Sequence, residues 1–145
     1  GRKTGIDTYG GFARHSGAAL SGKDPMRIDR VGAYIARYAA KNVVAAGMAR
    51  ECEVQLSYSV GVASPVSLRV RTFGSGQFDD DAIAARLQEV IDFRLGGIVR
   101  DLQLKKLPEV SRGGYGTLAV YGHMGRTDLE MPWEQTDRAD ALKLT

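Results

Sequence analysis

Cys52-Glu53-Val54-Gln55-Leu56-Ser57-Tyr58-Ser59-Val60 alternates apolar and polar side chains, and Val66-Ser67-Leu68-Arg69-Val70-Arg71 resumes the alternation after a break at residues 61–65. Successive side chains of a strand point to opposite faces, so the two runs predict strands over 52–60 and 66–71, each with one buried face. Gly61 and Pro65 bound the break, and the pair reads most simply as an antiparallel hairpin. Upstream, Val31, Tyr34, Ile35, Tyr38 and Val43 recur at helical spacing. That predicts a helix over 27–47, with Asp29 near its start, Gly47 at its end, and Tyr34 and Tyr38 in the core. Downstream, Gly74-Ser75-Gly76 breaks the second strand and Asp79-Asp80-Asp81 offers N-caps for a helix over 81–93, with Ile83, Leu87, Val90 and Ile91 inward. A short helical stretch through Ile98, Val99 and Leu102 should end before Pro108, and Gly113-Gly114 should precede a last strand over 115–121. The fold class is therefore α+β, a two-layer sandwich with an antiparallel or mixed sheet and helices on one face.

At 145 residues, 43% hydrophobic and 26% charged, the chain has the composition of a globular domain, despite 18 glycines. No apolar run approaches the ~20 residues of a membrane span, so no membrane partner is expected. The first residues, Gly1-Arg2-Lys3-Thr4-Gly5, lack the apolar core of a signal peptide, and the expected compartment is the cytoplasm. One cysteine, Cys52, excludes an internal disulfide or a Cys-rich zinc site. Its place in the alternation predicts a buried thiol. His15 and His123 have no Cys or carboxylate spacing suited to zinc.

The net charge of +3 has a location. Residues 1–30 carry six basic and three acidic side chains, whereas the remaining 14 basic and 14 acidic ones cancel. Six glycines share that segment, a mixture suited either to close backbone approach around an anion or to a solvated, flexible head. Within it, Gly17-Ala18-Ala19-Leu20-Ser21-Gly22-Lys23-Asp24 fits a phosphate-loop pattern until its last position, where Asp24 replaces the required Ser or Thr. No strand pattern precedes it, so a true phosphate-loop fold is excluded. Lys23, Arg27 and Asp29 lie within seven residues of one another. A carboxylate among cations suits a magnesium-polyphosphate site, but Asp29 suits a helix cap equally well, and the spacing leaves both readings open. A pI near 9.1 raises a nucleic-acid reading, which the small charge excess and the lack of aromatic–basic interleaving argue against.

Read together, Gly1-Arg2-Lys3, Asp7-Thr8-Tyr9-Gly10-Gly11, Ala13-Arg14-His15, Ser21-Gly22-Lys23-Asp24-Pro25 and Ile28-Asp29-Arg30 closely resemble a late segment of the S-adenosylmethionine synthetase (methionine adenosyltransferase) family. The likeness continues through Ala40-Lys41-Asn42-Val43-Val44-Ala45-Ala46-Gly47, Gln55-Leu56-Ser57-Tyr58, Tyr121-Gly122-His123 and Pro132-Trp133-Glu134. It implies an enzyme that joins ATP and L-methionine with magnesium and potassium, releasing phosphate and pyrophosphate, in a homo-oligomer that is a dimer of dimers. It further implies that residues 1–30 are a severed segment of a central domain and residues 31–145 a C-terminal domain with its tail. The family's upstream catalytic histidine and first magnesium aspartate have no counterpart here, so the chain alone is expected to be inactive.

Carried over by position, the resemblance makes Lys3 and Lys23 catalytic lysines, and Arg2, Lys3, Ala19 and Lys23 contacts to ATP. It places Arg27 and Val60 with methionine, Asp29 on magnesium and Ser21 near potassium. Strand core is the alternative for Val60. His15 and His123 match structural positions. Two departures are visible: Arg27 stands where the family usually has lysine, and Ser16-Gly17-Ala18-Ala19-Leu20-Ser21 stands where it usually reads Gly-Gly-Gly-Ala-Phe-Ser. Guanidinium and ammonium differ in size and hydrogen-bond geometry. These departures motivate an alternative, a non-catalytic binding or assembly module that keeps the fold.

Overall fold

Val31, Tyr34, Ile35, Tyr38, Ala39 and Val43 fall along one side of a single long helix, α1 (Ile28–Ala45), and all six are buried. The computed structural model describes residues 5–16 and 19–144. Helix α1 ends because Gly47 adopts φ 75°, where glycine alone is unstrained. Its N–H donates to Val44 O at 3.0 Å and the Met48 N–H to Val43 O at 3.2 Å, the paired bonds of a Schellman stop. The start has no side-chain cap: Arg27 occupies the N-cap position and Asp29 lies in the first turn. The capping alternative for Asp29 is therefore not realised.

Two antiparallel strands, β1 (Glu53–Ser57) and β2 (Ser67–Arg71), make the only sheet among the described residues. Register pairs Val54 with Val70 and Leu56 with Leu68 on one face, and Glu53 with Arg71 and Gln55 with Arg69 on the other. The apolar face packs on the core, with α1 against β1 and α2 (Asp80–Val90) against β2. This is the α+β arrangement expected from the alternation. The strands are shorter than the alternating runs. Tyr58 leaves the ladder and donates its hydroxyl to Phe93 O at 2.8 Å, and Val60 lies fully exposed in the connection. The strand-core expectation for Val60 is thus wrong, because pairing stops at Ser57.

Helix α2 buries Ile83, Ala84 and Leu87. Asp79 occupies its N-cap position without a capping hydrogen bond, while Asp80 Oδ1 accepts from the Thr72 hydroxyl at 2.6 Å and so ties the helix to the end of β2. Helices α3 (Leu95–Asp101) and α4 (Leu107–Val110) follow, joined by a 3-10 turn at Leu104–Lys106. The strand expected over 115–121 is absent. Gly114–Leu118 forms a short helix, α5, and Tyr121 and Gly122 turn through positive φ. Tyr115 and Leu118, one helical turn apart, face the core while Val120 and Tyr121 are exposed, so helical spacing outweighed the β propensity of the run.

The tail returns across α1. Met131 and Trp133 are fully buried at the 3-10 turn Pro132–Glu134, and α6 (Ala139–Leu142) closes on α1 and α2. Asn42, buried in α1, donates to Gln135 O at 3.1 Å and accepts from the Arg138 N–H at 2.8 Å. Cys52 is half-buried, and burial pushes its thiol up to about 12. It is therefore a packing group. No helix among the described residues is long and apolar enough to cross a membrane.

Candidate functional site

The loop at residues 19–23 enters α1 through a set of charged side chains that fold back on it. Ala19 and Leu20 are buried, and Leu20 plugs the core beside α1. The Asp7 carboxylate accepts the Leu20 N–H at 2.6 Å, the Ser21 N–H at 2.8 Å and the Ser21 hydroxyl at 3.1 Å. Burial alone would raise the Asp7 pKa, but these bonds outweigh it and hold the carboxyl below its ordinary value. At the other end of the loop, buried Arg30 donates Nη1–H to Lys23 O at 2.6 Å and Nε–H to Tyr34 Oη at 2.9 Å. Its guanidinium also lies 4.5 Å from the Tyr115 ring centroid.

His123 links these groups from beneath. It has no exposed surface, Nδ1 lies 2.7 Å from Tyr34 Oη, and Nε2 lies 2.8 Å from Ser21 Oγ. Burial drives its pKa down to about 4 against the pull of Asp7, so the ring is neutral near pH 7. The Trp133 indole N–H donates to His123 O at 2.8 Å, fixing the backbone of that turn to the tail.

Above the loop, Lys23 Nζ donates to Asp29 Oδ2 at 2.8 Å and Arg27 Nε approaches the same oxygen at 3.6 Å. The lysine holds the Asp29 carboxyl below its ordinary pKa, Arg27 adding to the effect, so it is ionised at neutral pH. Two cations and one carboxylate thus share a half-exposed surface at the N-terminus of a long helix, where α1 itself adds positive potential. An anion can replace Asp29 as partner of Lys23, leaving the carboxylate for a hard cation carried by that anion. No group of three or more His, Cys, Asp or Glu side chains able to hold a metal occurs among the described residues. Asp29 could give a hard cation one carboxylate arm, and such ions take their further oxygen ligands from phosphate and water. Ser21 Oγ is already engaged by Asp7 and His123.

Of the residues anticipated from sequence, the structure gathers Lys23, Arg27 and Asp29 in one cluster. Ser21 and Ala19 lie on the same loop, Ser21 turned to Asp7. Val60 is in the exposed β1–β2 connection. Arg2 and Lys3 lie outside the described residues. A separate surface concavity lined by Arg14, Gln55, Arg69, Arg71 and Asp80 includes none of them. Sequence reasoning passed over Asp7, Arg30 and Tyr34 as members of this site and took His123 only as structural. The i, i+4 spacing of Arg30 and Tyr34 was a usable signal; no local spacing connects Asp7 to residues 20 and 21, or His123 to Ser21.

The family model described as S-adenosylmethionine synthetase, C-terminal domain, matches residues 1–135. The S-adenosylmethionine synthases of Rippkaea orientalis and Acaryochloris marina are each 55% identical over 145 residues, 99% of this chain and 34% of theirs. A solved structure titled as an unusual S-adenosylmethionine synthetase from Campylobacter jejuni superposes with a TM-score of 0.88 at 36% identity, covering 98% of this chain and 36% of that one. The chain spans about a third of the length of these relatives. On sequence and on fold, it belongs to the S-adenosylmethionine synthetase family and matches the C-terminal portion of its members.

Proposed function

We propose that the chain is the C-terminal portion of a methionine adenosyltransferase, which forms S-adenosylmethionine from ATP and L-methionine and releases phosphate and pyrophosphate. The observation that carries the reading is the Lys23–Asp29–Arg27 cluster at the mouth of a loop clamped from both ends. Displacing a whole triphosphate builds negative charge on the leaving group, and preorganised cations are the means of stabilising it. In this assignment Lys23 holds the triphosphate, with Arg2 and Lys3 assigned beside it by position. Ala19 offers its backbone to ATP, and Arg27 and Val60 serve methionine. Asp29 holds magnesium and Ser21 lies near potassium; magnesium, when bound, neutralises phosphate charge. Residues 1–30 belong to a central domain and 31–145 to the C-terminal domain of a cytoplasmic dimer of dimers.

Lys23→Ala in the intact protein containing this chain tests the assignment. The expected result is a loss in kcat/KM for ATP of about a hundredfold or more, with the fold retained. A wild-type kcat/KM for ATP would remove Lys23 from the triphosphate site. The chain by itself, given ATP, methionine, magnesium and potassium, is expected to show no turnover, and steady product formation would contradict that. The departures at Arg27, Ala18 and Leu20 favour a second reading, a non-catalytic assembly module, which gains support if the intact protein is inactive with both substrates. Against it, Leu20 is buried, so that departure is absorbed by the core.

A further inference from the structure

A single hydrogen-bonded chain runs beneath the loop at residues 19–23 and grips it at both ends. From Arg30 Nε it passes to Tyr34 Oη at 2.9 Å, to His123 Nδ1 at 2.7 Å, from His123 Nε2 to Ser21 Oγ at 2.8 Å, and to Asp7 Oδ1 at 3.1 Å. The carboxylate end fixes its direction. A carboxylate only accepts, so the Ser21 hydroxyl donates to Asp7 and Nε2–H to Ser21; in the neutral ring Nδ1 is then the acceptor, and the Tyr34 hydroxyl donates to it. Each interior member donates once and accepts once, with one hydrogen arrangement for the whole. The same two end groups hold the loop backbone, Asp7 through the Leu20 and Ser21 amides and Arg30 through Lys23 O.

We propose that Asp7, His123 and Tyr34 are positioning residues that act as one relay, fixing the loop at 19–23 so that Lys23 is presented to the phosphates of ATP. This rests on the assignment of Lys23 made above. The relay members Asp7, Arg30, Tyr34 and His123 are all buried, so a broken link strands a polar group in a low-dielectric interior, and the cost is shared along the chain. Among the described residues, the other backbone bond within the loop is a turn bond from the Lys23 N–H to Leu20 O at 3.2 Å, so Asp7 and Arg30 supply its ties to the rest of the fold. Holding the loop in place before ligand arrives removes reorganisation from the step at which charge develops. The chemistry stays with Lys23, and the relay supplies its geometry.

Tyr34→Phe and Ser21→Ala remove hydroxyls on opposite sides of His123, so in the intact protein they form a double-mutant cycle. Each is expected to lower kcat/KM for ATP about tenfold, and the double variant by about the same factor in place of their product. Hydrogen exchange at the Leu20 and Ser21 amides should quicken in all three. Multiplicative losses, or amide exchange unchanged from wild type, overturn the relay. If Tyr34→Phe fails to fold, His123→Gln, which keeps an N–H donor toward Ser21, takes its place in the cycle with the same expectation. Lys23→Ala separates the two ideas: unchanged activity with ATP defeats the triphosphate assignment, whereas the exchange measurement judges the relay without reference to activity.

Discussion

Tyr34 and Trp133 lie face to face, their ring centroids 3.7 Å apart and their planes 4° from parallel. Both are fully buried, so α1 and the tail share one aromatic contact at the centre of the core. The Trp133 N–H also holds the backbone of His123. Trp133→Ala removes the ring, leaves a cavity and frees the His123 carbonyl. The expected loss is about 3–5 kcal/mol of unfolding free energy, read by chemical denaturation. A loss below about 1 kcal/mol would show that the tail is not part of the cooperative core.

Glu134 holds a second link between α1 and the tail. Its buried carboxylate accepts two bonds from Arg37, each at 3.0 Å, one from Lys41 at 2.9 Å and one from the Gly125 N–H at 2.6 Å. Burial pushes the Glu134 pKa up, but these partners prevail and the group stays ionised. Glu134→Gln keeps the shape and removes the charge that two cations face. Because Arg37 and Lys41 keep some contact with water, the expected cost is about 2–3 kcal/mol, below that of breaking a fully buried pair. A double-mutant cycle with Arg37→Met should recover part of it.

The pH dependence of stability carries a signature of His123. Its folded pKa, about 4, lies below the ordinary histidine value of 6.5, so the unfolded chain binds the extra proton first. The stabilisation is complete above about pH 6.5 and declines as pH falls toward 4, with a loss of about 2 kcal/mol between pH 7.5 and pH 5. Carboxylates with depressed pKa values, such as Asp7 and Glu134, lose their share at lower pH. Denaturation curves at the two pH values should therefore differ for the wild type and much less for His123→Gln. Equal losses in both would assign the effect to another group.

Arg27 pairs with Asp29 at 3.6 Å from a largely exposed position. Such a pair contributes about 0–1 kcal/mol, so Arg27→Lys should leave stability within about half a kcal/mol of wild type. Its expected effect is on substrate use, because the guanidinium and ammonium present different donor geometries. KM for methionine should change by about threefold or more while the melting temperature does not. An unchanged KM removes Arg27 from the methionine site.

The helix period of α1, the alternation of the two strands and the glycine at its C-terminal stop are local properties, and the sequence by itself determined them. Close sequence spacing likewise brought Lys23, Arg27 and Asp29 within reach of one another. Where the local signals were weak or mixed, long-range contacts chose. The apolar run after Gly114 became a helix because Tyr115 and Leu118 had a core to meet and no strand to pair with. Val60 left the sheet because Tyr58 found Phe93. Only the tertiary structure brought Asp7 and His123 to the Arg30–Tyr34 pair beneath the loop. The His123 contacts join residues 89 and 102 positions apart, to Tyr34 and Ser21, and like those of Asp7 depend on burial and hydrogen-bond direction, neither of which has a period in the sequence.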